Sequence, residues 1–162
     1  MGYAINSTNT GWRAVDSVAD LLTGETFSET QPVLTPTLAQ TQATQIATLQ
    51  ADYAAAVSAP VSFKNAAGVT STYPAGNAVL SNGMTAQQML STVLAAGSPA
   101  WTLGKWLDTN GIAQTFTFAD VQGLAQAVEN VDAPDYMELV SLIAQVQDAT
   151  TVAAVQAIVW PT

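Results

Sequence analysis

A β-hairpin signal lying between two stretches of helical periodicity is the feature that most constrains the fold of this chain. Residues 61–64 and 69–73 have the composition of strands, and the turn between them ends in Gly68, a residue suited to positive φ. Pro60 precedes the first strand and Pro74 follows the second, so a proline marks each outer end of the hairpin. The pattern predicts a hairpin packed against helices.

A second hairpin is predicted further along the chain. Residues 101–107 and 112–118 read as strands, and Asn110-Gly111 in the turn between them is a strong hairpin signal. Phe116 and Phe118 are expected on one face of the returning strand.

The remaining body is predicted to be helical. Thr35 with Pro36 is the expected start of a first helix that Pro60 ends, and residues 77–95 read as a second helix weakened at Asn82-Gly83, with Thr85 available to cap its second half. The first helix carries apolar residues near a 3.6 period: Leu38, Ala43, Ile46, Leu49, Tyr53 and Val57.

A long helix and a short one complete the chain. The long helix is expected to begin with a capping box from Thr117 to Asp120 and to bend or break at Pro134, because the apolar periodicity slips in phase there. Residues 148–152 are expected to cap a final helix that runs to Trp160. The apolar set before Pro134 is Val121, Leu124, Val128 and Val131, and the set after it is Tyr136, Leu139, Ile143 and Val146.

The first 32 residues have a different character. Three short strands around turns predict a small β module at 1–32, residues 33–36 form a linker that ends at Pro36, and residues 37–162 form the hairpin–helix domain. The fold class is therefore predicted to be α+β, a small N-terminal β module followed by an α-rich domain with two β-hairpins. An elongated helical adaptor without a single core is the alternative.

Charge composition narrows the classes of partner. Charged residues make up only 9% of the chain, the net charge is −9, and the three cations are Arg13, Lys64 and Lys105. So few cations cannot neutralise a row of phosphates or hold the chain on an anionic bilayer, so nucleic-acid binding is not expected. The longest apolar stretches are broken by Thr, Gln and Ser, so membrane insertion is not expected either. A surface poor in charge and rich in Thr, Gln and Ala favours contact with other proteins, and a soluble monomer is the alternative.

The residue inventory disfavours catalysis. The chain has no His and no Cys, so the usual nucleophile–base arrangements lack their parts. A Ser–Lys pair would depend on Lys64 or Lys105, which more plausibly face solvent. The acids Asp132, Asp135 and Glu138 are read as a solvated surface rather than a Ca²⁺ site or a glycosidase pair. We therefore expect no enzyme activity, no metal and no cofactor.

Aromatic side chains are the remaining candidates for a site. Those in and beside the hairpins are predicted to form a core where the hairpins meet the helices, with an exposed platform for sugar or protein contact as the alternative. The candidate partner-contact residues over the whole chain are Tyr3, Trp12, Phe27, Trp101 and Trp106.

Two parts of the chain resemble proteins of bacteriophage tails. The opening residues 3–32, with their Trp-led strand and Gly-Glu-Thr-Phe segment, are similar to the N-terminus of small proteins encoded beside phage tail-fibre genes. Residues 54–68, 116–124 and 150–160 resemble a C-terminal domain, of uncharacterised role, that is common in tail-fibre and tail-fibre assembly proteins.

This resemblance implies a function in the virion. It implies a structural protein of the tail associated with the tail fibre, made in the bacterial host cytoplasm, whose partners are tail-fibre or other tail proteins, with self-association possible. An assembly chaperone that is not retained in the virion is one alternative, and a module that binds host-surface carbohydrate is another. The family offers no catalytic residues to carry over. It usually has several Arg and Lys in its last helix pair, whereas residues 119–160 contain none.

Overall fold

The N-terminal segment forms a three-stranded antiparallel sheet in the computed structural model, which describes residues 1–7, 11–101 and 104–161. Strands β1 (Gly2–Ile5), β2 (Trp12–Val15) and β3 (Thr26–Ser28) lie in the order β2-β1-β3. A 3-10 helix at Val18–Asp20, capped by Ser17, connects β2 to β3. The three predicted short strands are confirmed.

Helix α1 (Leu38–Val57) starts two residues later than predicted. Its N-cap is Thr37, whose hydroxyl accepts a hydrogen bond from the Gln40 amide N–H while the Gln40 side chain accepts one from the Thr37 N–H. The prediction of Thr35 as cap was wrong, because the residue three positions after Thr35 cannot return such a bond.

Both predicted hairpins are present. Strands β4 (Val61–Lys64) and β5 (Thr70–Tyr73) pair antiparallel, as do β6 (Lys105–Leu107) and β7 (Ala113–Thr115). The two hairpins are joined at the second turn, where the Thr109 N–H donates to the Thr72 carbonyl at 2.9 Å. They therefore form one connected unit.

The second hairpin is shorter than the predicted strands 101–107 and 112–118. Phe118 is the first residue of a helix and not part of a strand, so it does not share a strand face with Phe116. The capping box that starts this helix overrides the alternating pattern. Thr102 and Leu103 lie outside the described residues.

Helix α2 (Ala86–Ala96) occupies only the second half of the helix predicted for residues 77–95. Thr85 is its N-cap, as the sequence indicated. Residues 77–84 form turns instead, because Gly83 has φ of +80° and its N–H donates to the Leu80 carbonyl.

Helix α3 (Phe118–Asp148) runs without a break through Pro134. The buried residues Val128 and Leu139 lie on the same face, roughly three helical turns apart, on either side of the proline. The predicted break was wrong, and a bend at Pro134 stays a prediction. The apparent phase slip arose from treating Val131 and Tyr136 as buried, whereas they are 42% and 54% exposed.

The chain ends in helix α4 (Val152–Gln156), which is shorter than the predicted helix to Trp160. Thr151 caps its start. Beyond it, the Ile158 carbonyl accepts a hydrogen bond of 2.6 Å from the Gln45 side chain, and the Trp160 ring lies 6.2 Å from that of Tyr53. These contacts with α1 hold the terminal segment in a non-helical path.

Two hydrophobic clusters form the interior, and α3 contributes to both. The first cluster joins the hairpins and α2 to the N-terminal half of α3, and the second joins α1 and α4 to its C-terminal half. The first contains Tyr73, Ala75, Leu90, Trp106, Phe116, Val121, Leu124 and Val128; the second contains Leu49, Leu139, Leu142, Val146 and Val155. The predicted α+β fold is confirmed.

The division into module 1–32, linker 33–36 and domain 37–162 stays a prediction. Within the module, the side chains of Arg13, Ser17 and Glu25 make their hydrogen bonds to other residues of the module.

Candidate interaction surface

The register of the N-terminal sheet separates its side chains into two faces. Residues paired across an antiparallel ladder share a face, and successive residues alternate. Ile5 pairs with Trp12 and Tyr3 pairs with Ala14, so these four lie together on one face. The opposite face carries residues that include Ala4 and Val15.

The connection between β2 and β3 covers the Ala4 face. Arg13 donates two hydrogen bonds to the carboxylate of Glu25, at 3.1 and 2.7 Å, and a third to the Asp20 carbonyl at 2.6 Å. The Glu25 carboxylate also accepts a bond from the Leu22 N–H. The hydrogen bond from Arg13 lowers the pKa of Glu25, and the same bond raises the pKa of Arg13. This pairing fixes the connection over the sheet.

The other face of the sheet is open. The rings of Tyr3 and Trp12 meet edge to face with centroids 5.1 Å apart, and Trp12 remains 40% exposed. Tyr3 and Ile5 are half-buried and Ala14 is exposed. We name the surface formed by Tyr3, Ile5, Trp12 and Ala14 the open sheet face. Aromatic residues that are packed on one side and exposed to solvent on the other are typical of protein interfaces.

The two outer strands of the sheet are a second surface at which another chain can bind. Within the described residues, β2 and β3 each pair only with the central β1, so their outer edges have no strand partner. Such edges accept an added strand from another chain through main-chain hydrogen bonds.

Phe27 lies on the covered face of the sheet, apart from Tyr3 and Trp12. It is paired beside Ala4, and its ring occupies the space above Gly2 where a Cβ atom would collide with it. Phe27 therefore packs inside the module.

The two predicted contact residues in the second hairpin belong to the interior. Trp106 is 6% exposed and stacks on Phe116, with ring centroids 6.2 Å apart. Trp101 is half-buried and donates its indole N–H to the Phe116 carbonyl at 3.0 Å. Trp106 lies in the core that the sequence predicted for the hairpin aromatics, and not on the exposed platform that was the alternative. Of the five candidates, the structure brings together Tyr3 with Trp12 at the sheet, and Trp101 with Trp106, whose ring centroids lie 5.9 Å apart, in the interior.

Two buried acids have structural explanations. Burial, the largest influence on Asp120, raises its pKa, but hydrogen bonds from the Thr117 N–H, the Thr117 hydroxyl and the Ala66 N–H outweigh it and lower the pKa. The hydrogen bond that the Ile112 N–H donates to Asp108 is the main cause that lowers the pKa of Asp108. This bond lies within the hairpin turn that Asp108 begins. Both carboxylates organise turns and caps, so neither is available as a proton donor.

The other candidates for chemistry are dispersed. Lys64 and Lys105 are exposed on β4 and β6. No cluster of three or more acidic residues suited to a metal ion occurs within the described ranges 1–7, 11–101 and 104–161. In the part of the chain that the structure describes, no helix combines the length and apolar character that crossing a bilayer requires.

Sequence reasoning missed one contact on α3. The Tyr53 hydroxyl donates a hydrogen bond of 2.6 Å to the Asp132 carboxylate, next to the exposed ring of Tyr136. No local pattern links residues so far apart in sequence. The outward position of Tyr136 was detectable, because Leu139, Leu142 and Val146 continue the buried stripe without it.

Comparison of the chain with protein-family models, with curated proteins and with solved structures finds no match.

Proposed function

We propose that this protein is a structural component of a bacteriophage tail, associated with the tail fibre, and that it acts by binding other proteins and not by catalysis. The observation that carries the proposal is the open sheet face, where Tyr3 and Trp12 form an exposed aromatic pair on a small sheet with two unpaired edges. Aromatic anchors of this kind dominate the affinity of protein interfaces. The resemblance of residues 3–32 to tail proteins supports the choice of partner.

In this proposal, the N-terminal sheet attaches the protein to the tail. Trp12 and Tyr3 would bury their exposed area against a tail protein, while residues 37–162 form the body that the attachment presents. The absence of His and Cys from the sequence supports a binding function rather than a catalytic one.

Mass spectrometry of purified virions tests the location. A structural component is expected at a fixed stoichiometry relative to the tail-fibre protein. Absence from virions together with association in lysates would favour the assembly chaperone. Failure to co-purify with any tail protein of the same genome would discard the tail assignment.

Site-directed variants test the surface. Trp12→Ala is expected to weaken co-purification with the tail partner by tenfold or more, on the order of what a buried aromatic anchor contributes. Val18→Ala is the matched control, because Val18 is exposed in the same module but lies off the sheet. Equal loss with both variants would contradict attachment through the open sheet face.

A further inference from the structure

The outward side of α3 carries an apolar stripe that no described element covers. It consists of Ala133, Met137, Val140 and Ala144, all exposed and spaced four, three and four residues apart. This spacing places side chains in one row along a helix and is the spacing along which two helices pack. We name these four residues the outer stripe. With 67% of Met137 and 46% of Val140 exposed, it is unusually apolar for a solvated surface.

A depression lies at the N-terminal end of the outer stripe. Its volume is about 360 Å³, sufficient for the end of one long side chain. It is lined by Tyr53, Glu129, Asp132, Ala133, Tyr136 and Met137.

The chemistry of the depression suits an organic cation. The rings of Tyr53 and Tyr136 have centroids 6.2 Å apart and are inclined by 61°, so aromatic surface lines the depression beside the carboxylates of Glu129 and Asp132. The hydrogen bond from Tyr53 holds Asp132 in place through Oδ1. Aromatic faces combined with carboxylates attract guanidinium and ammonium groups.

We propose that this face of α3 binds an amphipathic helix of a partner protein, with an Arg or Lys of that helix in the depression and its apolar side chains on the outer stripe. From Glu129 to Ala144 the face is roughly 22 Å long, about four turns of a partner helix. The inference goes beyond the tail assignment and does not rest on it.

Charge decides between a foreign helix and a second copy of this chain. Residues 119–160 contain no Lys or Arg, and each copy has a net charge of −9. Arg13 is already engaged by Glu25. Two α3 faces brought together would oppose carboxylates without cations, whereas a basic amphipathic helix complements both the acids and the stripe.

Fluorescence anisotropy with a synthetic helical peptide tests the proposal. The probe is an Ala/Gln-based peptide with one Arg and with Leu at the following i+3, i+7 and i+10 positions. We expect saturable binding in the micromolar range, weakened by salt. An otherwise identical peptide with Gln in place of the Arg is expected to bind more weakly.

Variants of the full chain locate the binding. Tyr136→Ala and Met137→Gln are each expected to weaken binding by about tenfold, as loss of an anchor does. Glu129→Gln should weaken it about two- to fivefold, the range for an exposed ion pair. Glu138→Gln is the matched control, because it makes the same charge change on another face of the same helix.

Circular dichroism of each variant confirms that it is folded before binding is compared. Equal affinity for the Arg and Gln peptides, or unchanged binding by Tyr136→Ala and Met137→Gln, would overturn the proposal. So would dimerisation of the protein alone, observed by analytical ultracentrifugation and abolished by Met137→Lys, because a second copy would then occupy the stripe. Virion composition has no bearing on these outcomes, so this proposal and the tail assignment fail separately.

Discussion

Replacement of Asp120 by Ala tests whether one carboxylate joins the long helix to the first hairpin. Its Oδ2 accepts hydrogen bonds from the N–H and hydroxyl of Thr117, at 2.7 and 2.8 Å, and its Oδ1 accepts one from the Ala66 N–H at 2.7 Å. The side chain is 6% exposed. The variant therefore removes the Asp120 half of the capping box and the link between α3 and the β4–β5 turn together, while the backbone N–H of residue 120 still donates to the Thr117 hydroxyl.

The magnitude follows from these bonds. Loss of the two bonds that Asp120 accepts from Thr117 costs about 1 kcal/mol. Loss of the bond to the Ala66 N–H, which is charge-assisted and partly buried, costs about 1–2 kcal/mol more. We expect Asp120→Ala to lower the free energy of unfolding by about 2–3 kcal/mol, which corresponds to a fall in melting temperature of about 4–12 °C for a chain of this length.

Urea unfolding followed by circular dichroism and tryptophan fluorescence measures this change. Gln88→Ala is the matched control, because Gln88 holds the same position in the capping box of α2 but is exposed and bonds only within its own helix. It should lose less than about 1 kcal/mol. If Asp120→Ala loses no more than Gln88→Ala, the link to Ala66 contributes nothing and the reasoning is wrong.

Acid supplies a second test of the same carboxylate. The pKa of Asp120 is lowered on folding, so its stabilisation is present above the unfolded pKa of about 3.9 and is lost as pH falls through the folded pKa. The difference in stability between the unchanged chain and Asp120→Asn should therefore narrow as the pH falls below about 4. A difference that stays constant from pH 7 to pH 3 would contradict this account.

Three further predictions concern single side chains. Tyr73→Phe should raise stability by up to about 1 kcal/mol in urea unfolding, because the buried Tyr73 hydroxyl has no hydrogen-bond partner among the described residues; a loss of stability would refute this. Pro134→Ala should raise the free energy of unfolding by about 1–2 kcal/mol, since it restores a helical N–H, and a decrease would show that the proline is favourable in place. The hydrogen bond to Asp132 raises the pKa of Tyr53 to about 12, so the associated stability is complete below about pH 10 and is lost as pH rises through 12. In absorbance titration of tyrosinate, Tyr53→Phe should lose a component that titrates near pH 12, and loss of a component near pH 10 would contradict this account.

Local chemistry accounts for the elements that the sequence predicted correctly. The hairpin turns depend on residues such as Gly68 and Gly111, because glycine adopts positive φ without the steric cost that other residues have. The caps at Thr85 and Thr117 likewise depend on a partner three positions away. Such signals lie within a few residues and need no knowledge of the rest of the fold.

Some errors have local causes, such as the missing return bond after Thr35 and the positive φ of Gly83, whereas the break predicted at Pro134 was decided by distant contacts. Pro134 ordinarily ends a helix, yet α3 continues because Val128 on one side and Leu139 on the other are each held in a hydrophobic cluster. For the candidate site, the sequence placed Trp106 both in the predicted aromatic core and among the candidate contact residues, since strand alternation does not say which face meets the helices. The structure places it in the core.

The membership of α3 in both hydrophobic clusters has a mechanical consequence. Its 31 residues span about 46 Å, and the two clusters pack against opposite halves of this one helix. A load applied to the hairpins would be transmitted along the axis of the helix to α1 and α4, without a hinge to absorb it. Pro134 removes one intrahelical hydrogen bond between the two clusters, so it is the residue of α3 at which this transmission is weakest.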